Sequence, residues 1–163
     1  MGNQINRVSE AIVVYNPIIN NNISGTVIFK QYDNGVQISI NLIGLNNSLT
    51  DGLHGFHIHE AGDLREGCDS CCAHYNPTKV DHGGLEGGHL GDLGNITVNN
   101  NQCKQVIFTN KFTISEIIGR SLIIHEDEDD LGKKNNKISK VTGNSGKRLC
   151  CQVIGISKNA SCN

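Results

Sequence analysis

Apolar and polar residues alternate with period two along this chain, and that rhythm predicts strands rather than helices. In Val36-Gln37-Ile38-Ser39-Ile40-Asn41-Leu42 the alternation is strict, the mark of a strand with one buried face. Segments of the same kind are predicted at residues 11–15, 24–31, 56–60, 96–98, 106–113, 121–126 and 151–156, set apart by Asn, Asp or Gly. Asp33-Asn34-Gly35 supplies a hairpin turn between the second and third strands. No stretch carries a convincing amphipathic helix. The fold class expected is therefore all-β: an eight-stranded antiparallel sandwich or barrel.

Two segments break the rhythm. Residues 61–94 lack a strand pattern and hold eight glycines, and residues 127–147 are polar and charged without periodicity. Loops of such length in a compact domain are usually functional. No repeat or linker divides the chain, so residues 1–163 are read as one domain.

Composition narrows the picture. At 37% hydrophobic and 18% charged, the chain can build a core. A net charge of −2 and 4% aromatics without Trp argue against a nucleic-acid surface. No apolar run approaches the ~20 residues of a membrane helix. The polar start lacks the order of a signal peptide, and Asn6 breaks the myristoylation pattern, so a cytoplasmic protein is expected. The seven cysteines form no zinc-ribbon arrangement, and their odd number leaves at least one without a partner in the chain.

The histidines change the picture most. Five of the seven, His54, His57, His59, His74 and His82, fall within 54–82. Period two puts His57 and His59 on one face of a strand, where they either share an ion or stand as two surface imidazoles. His74, His82, His89 and Asp92 lie in or beside a glycine-rich segment, Asp81 to Asp92. Three imidazoles and a carboxylate are a full tetrahedral set for zinc, and glycines let such a loop fold back on itself. A closed set of four suits a structural ion, and binding would order the loop. His125 ends a strand; with His57, His59 and one further histidine it would make an all-nitrogen site suited to copper(II). His54 is read as a non-ligand, hydrogen-bonded at the strand–loop corner. Asp129 either orients ligand imidazoles or belongs to a solvated acidic run.

Gly55-Phe56-His57-Ile58-His59-Glu60, His74-Tyr75-Asn76-Pro77, His82-Gly83-Gly84, His89-Leu90-Gly91-Asp92-Leu93-Gly94-Asn95, His125-Glu126, Asp129-Asp130-Leu131-Gly132 and Gly143-Asn144-Ser145-Gly146 with Arg148 together resemble the Cu/Zn superoxide dismutase family, in order, from about Ser24 to Ile156. The resemblance implies an eight-stranded Greek-key barrel of immunoglobulin-like architecture with two long functional loops. It implies superoxide disproportionation to oxygen and hydrogen peroxide at a copper ion alternating between Cu(II) and Cu(I), beside a structural zinc. Copper would take His57, His59, His74 and His125; zinc would take His74, His82, His89 and Asp92, with His74 bridging and carrying a proton. Arg148 would dock the anion, Asp129 would bond His57 and His82, and Cys68 would pair with Cys151.

A homodimer is implied too, with apolar residues near Ile118 and Val153-Ile154-Gly155-Ile156 as its physical motive. Cys72-Ala73 replaces the family's usual Gly-Pro before His74, Gln152 follows Cys151 where Gly is usual, and lysines 133, 134, 137, 140 and 147 dominate the charged loop. Cys71, Cys72 and Cys150 beside the disulfide partners would permit mispairing or help a copper-loading partner; Cys103 and Cys162 carry no role. Two other readings compete. A metal-binding homologue without turnover would lack a copper ligand or Arg148, and this chain keeps them. A copper-delivery protein would need a further domain.

Overall fold

The computed structural model describes residues 8–161. Nine strands form two antiparallel sheets. In order they are β1 (Glu10–Tyr15), β2 (Ile23–Tyr32), β3 (Gly35–Gly44), β4 (Gly52–His59), β5 (Asp92–Val98), β6 (Gln102–Thr109), β7 (Ser121–His125), β8 (Arg148–Val153) and β9 (Gly155–Ile156). One sheet runs β6-β3-β2-β1-β9 and the other β5-β4-β7-β8. β3 and β7 flank the consecutive run β4, β5, β6, which gives the Greek-key path. No ladder joins β5 to β6, so the barrel-or-sandwich expectation resolves to a sandwich, not a closed barrel.

The eight expected strands are present; β4 and β5 each begin four residues earlier than expected, β5 within the stretch expected to lack strands, and two other segments change more. The segment read as 106–113 begins and ends earlier, as β6, because Asn110 to Thr113 turn away into a short helix, α1 (Ile114–Ile117), capped by Thr113 and Glu116. The last segment divides into β8 and β9, which join different sheets. The second long loop also folds a helical turn, α2 (Lys137–Thr142), capped by Asn136. A third short helix, α3 (Lys158–Ser161), follows β9.

The core lies between the sheets. Val27 and Phe29 of β2, Ile38 and Ile40 of β3, Phe56 and Ile58 of β4, and Leu122 and Ile124 of β7 meet there. Alternation therefore sends His57, His59, Ile123 and His125 to the opposite face of the second sheet. That face is buried as well: every residue of β7 is inaccessible, and so are His54 to His59 of β4. The two long loops, residues 60–91 and 126–147, close over it.

The apolar motive for a dimer is narrower than the sequence suggests. Ile154 is fully buried and Ile118 packs against the core, while Ile156 is 50% exposed.

Candidate metal centre

Two four-membered groups of ligand-type side chains lie under the loops with one residue in common, and a third, smaller group of His57, His82 and Asp129 links them. His57, His59, His74 and His125 form the first; His74, His82, His89 and Asp92 form the second. Within each, one ligand atom per residue lies within 4.8 Å of the others. Every member is buried.

The first group is built by strands. Pleating points His57 and His59 the same way, and the β4–β7 pairing brings His125 alongside. His74 comes from the loop and is held against β4 by a bridge to His59. Hydrogen bonds on the far side of each ring decide which nitrogen faces inward. His57 Nε2–H donates to Asp129 Oδ2 at 2.7 Å, and His59 Nδ1–H to the Cys72 carbonyl at 2.9 Å. That leaves His57 Nδ1 and His59 Nε2 facing the group's centre, with His125 Nε2 3.4 Å from His59 Nε2. Burial pushes all four imidazoles toward the neutral form, reinforced next by neighbouring rings at His57, His59 and His125 but opposed by Asp92 at His74; His125 is pushed down to about 3. Neutral imidazoles are the form that ligates a metal.

The second group is built by the loop. His74 Nδ1 lies 2.9 Å, His82 Nδ1 3.0 Å and His89 Nδ1 3.2 Å from the Asp92 carboxylate. Backbone amides of Gly83 and His89 also donate to Asp92 Oδ2, at 3.0 and 2.9 Å. Burial opposes the charge on Asp92, yet the three imidazoles around it hold its carboxyl far below the usual range. For His82, burial opposes protonation, but hydrogen bonding to Asp129 and the nearby Asp92 outweigh it, and its pKa is pushed up to about 9.

The orphaned atoms test whether metals fit. Buried, unpartnered nitrogens are uncommon in native proteins. Here His57 Nδ1, His74 Nε2, His82 Nδ1 and His89 Nδ1 have no hydrogen-bond partner, and each points into one of the two groups. His82 Nδ1 and His89 Nδ1 crowd the Asp92 carboxylate without the angle of a hydrogen bond. Ligands about 2.0 Å from a tetrahedral zinc lie about 3.3 Å from one another, close to this crowding. His74 is apt to serve both groups, because its two nitrogens face opposite ways. An all-imidazole set fits copper, and the imidazole–carboxylate set fits zinc.

Asp129 ties the groups together. Its Oδ2 accepts from His57 and its Oδ1 from His82, at 2.7 and 2.8 Å. It is fully buried, not part of a solvated run. His54 stands outside both groups, its ring spanning the carbonyls of Thr50 and His125 at 2.8 and 2.9 Å.

Arg148 sits at the end of β8, paired with His125. Its guanidinium donates to the carbonyls of Cys68 (2.5 Å) and Cys72 (2.6 Å). The Cys72 carbonyl thus holds both Arg148 and His59. Cys68 and Cys151 are joined by a disulfide with Cα atoms 5.6 Å apart. Glu66, Asp69, Lys147 and Arg148 line a cleft outside this point. Cys71 and Cys150 are buried free thiols and Cys72 an exposed one. Cys162 lies outside the described residues. The five loop lysines are exposed, though Lys140 Nζ donates to the Gly132 carbonyl at 2.6 Å.

Sequence reasoning missed several supports. Asn95 donates to the Asp129 carbonyl and accepts from its amide, both at 2.8 Å. Gly143 packs so closely on Asp129 and His82, at φ +68°, that no side chain fits there. Single residues like these give no periodic signal; only their place beside the histidine motifs could have drawn attention.

Comparison with known proteins bears on the whole arrangement. Residues 23–154 match the family described as copper/zinc superoxide dismutase (SODC). Superoxide dismutase [Cu-Zn] 5 of Dictyostelium discoideum is 44% identical over 142 residues, covering 83% of this chain and 92% of that protein. The extracellular superoxide dismutase [Cu-Zn] of Drosophila melanogaster is 49% identical over 145 residues, covering 84% and 78%. A crystal structure of the clock protein EA4 superposes with a TM-score of 0.86 at 36% identity, covering 96% of this chain and all of that one. The cytoplasmic expectation is corrected here. An extracellular protein stands among the near relatives, and the polar start on which the expectation rested lies largely outside the described residues.

Proposed function

The chain belongs to the copper/zinc superoxide dismutase family, and from that premise we propose how its own residues divide the work. Its reaction is the disproportionation of superoxide to oxygen and hydrogen peroxide, and its cofactors are copper and zinc. When bound, copper supplies one-electron exchange in both directions and zinc a fixed positive charge.

His57, His59, His74 and His125 are the copper ligands; His74, His82, His89 and Asp92 are the zinc ligands. The unpartnered ring nitrogens aimed into each group are the observation that carries this reading. Asp129 and the Cys72 carbonyl fix which nitrogen of His57, His82 and His59 faces inward. His74 Nε2, buried between the groups, takes up a proton in one half of the reaction and gives it back in the other. Arg148, braced by two carbonyls of the disulfide loop, docks the superoxide anion at the cleft. The chain works as one domain, since its main core cluster draws on both sheets. It pairs as a homodimer through the face bearing Ile156, and a copper-loading partner meets the disulfide loop where Cys72 is exposed.

The test is metal content and superoxide consumption measured on one sample. One copper and one zinc per chain with rapid turnover are expected; uptake of both metals without turnover overturns the division of roles. Arg148→Glu separates docking from binding. Turnover should fall about 10²-fold with both metals retained, since inverting a steering charge acts on capture. Unchanged turnover would remove Arg148 from the mechanism. A monomeric mass at micromolar protein would refute the dimer.

A further inference from the structure

The loop carrying His82 and His89 is held at its ends, where His82 bonds Asp129 and the Lys140 carbonyl and His89 N bonds Asp92, and at its tip by one side chain. Between those histidines the chain turns through Gly83-Gly84-Leu85-Glu86-Gly87-Gly88. Glycine-rich backbone loses more entropy on ordering than any other. The turn's own bonds are sparse: Gly87 N donates to Gly84 O at 3.2 Å, and Gly83 N to Asp92. Gly83 and Gly88 touch so closely that a Cβ on either would strike the other.

Lys111 reaches this turn from outside. Its Nζ donates to the carbonyls of Gly84 at 3.0 Å, Gly87 at 2.9 Å and Asp92 at 3.1 Å. An ammonium has three N–H donors and no acceptor, so its hydrogen-bonding capacity is filled. Among the described residues, no other side chain hydrogen-bonds residues 84–87. The backbone beneath Lys111 is itself fixed. Its amide donates to Thr109 Oγ1 at 3.2 Å, Phe112 is buried, and Ile114 N donates to Gln31 at 2.9 Å.

We infer that Lys111 is a positioning residue for zinc: its ammonium gathers three carbonyls and so keeps His82, His89 and Asp92 converged. It touches no proposed ligand atom, so it acts through the loop alone. The inference rests on the zinc assignment above.

Lys111→Met keeps the length and apolar stem and removes the donors. From metal-loaded protein, zinc should pass to a chromogenic chelator about 10- to 100-fold faster than from the parent, the range for lost outer-shell partners. In zinc-free protein, amide exchange should quicken across 83–91 and stay unchanged in β2, β3 and β4. Lys111→Arg keeps the charge, but its planar fork cannot converge on three carbonyls, so it too should release zinc faster. Lys104→Met, on an exposed position of β6, should match the parent. Parent-like zinc release from Lys111→Met overturns the inference, as does faster exchange throughout the sheets, which would make Lys111 a general stabiliser. Parent-like release from Lys111→Arg would overturn the three-carbonyl geometry. A parent that takes up no zinc fails the zinc assignment itself, and this inference with it.

Discussion

The two ligand groups share His74 and differ in nearly everything else. The group at Asp92 is local: its members lie between positions 74 and 92, on a glycine loop, around a carboxylate that three imidazoles keep ionised. The group at His57 is assembled from two strands and a loop, spans positions 57 to 125, and contains no carboxylate. One gathers flexible chain around a charge; the other takes neutral rings already aligned by a sheet. A carboxylate offsets the charge of a dication that stays, while an all-imidazole set leaves a metal free to exchange electrons. On the proposed assignment, the comparison teaches that the sandwich supplies rigidity where electrons would move, and the loop supplies charge where they would not.

Removing a strand ligand should break this contrast most sharply. His125→Ala should lower turnover by more than the roughly 100-fold typical of losing an outer-shell partner, with zinc content unchanged. Metal analysis and the superoxide assay on one preparation check both halves. Equal loss of the two metals would mean that the groups do not stand apart.

The next largest effect concerns what braces the strand-built group. The Cys68–Cys151 disulfide closes a separation of 83 residues and holds the segment whose Cys72 carbonyl bonds His59 and Arg148. Cys151→Ser should cost about 4.5 kcal/mol by the loop-entropy rule, read as a lower urea midpoint. Copper retention should weaken and zinc retention hold, because the zinc loop is tied through Lys111 and Asp92 instead. A variant that loses zinc first would place the disulfide on the wrong side of the comparison.

The same contrast explains what could be read from the chain beforehand. Val36 to Leu42 shows its strand by alternation because one face meets water; β7 shows its strand as an unbroken apolar run instead, since Leu122, Ile123 and Ile124 are buried on both faces. The Asp92 group was legible because its ligands are near neighbours on a loop with no other use for three histidines. The His57 pair followed from period two, but His125 joins it only through strand pairing, and His74 joins only through a fold-back. Lys111, Asn95 and the Cys72 carbonyl were illegible because each acts through backbone groups that any sequence supplies. The early end of β6 was missed because Asn110 to Thr113 keep an apolar residue in phase while the chain leaves the sheet.

Asp129 is where the two groups meet, and it permits the finest cut between them. His57 and His82 both present Nε2–H to its carboxylate, which leaves their Nδ1 atoms for metal. An asparagine can accept on one side only. Oδ1 also receives the Leu131 amide at 2.7 Å, so the amide oxygen of Asp129→Asn should settle there, against His82. Its NH2 would then face His57. That imidazole can answer only by accepting at Nε2, which moves its proton to Nδ1 and blocks the copper side. Copper affinity should fall by about 10- to 100-fold while zinc affinity changes less. Asp129→Ala, which removes both acceptors, should weaken the two metals alike. Competition with a chelator, followed separately for each metal, distinguishes the variants. If Asp129→Asn released zinc in preference to copper, the carboxylate would not be dividing its two oxygens between the sites in this way.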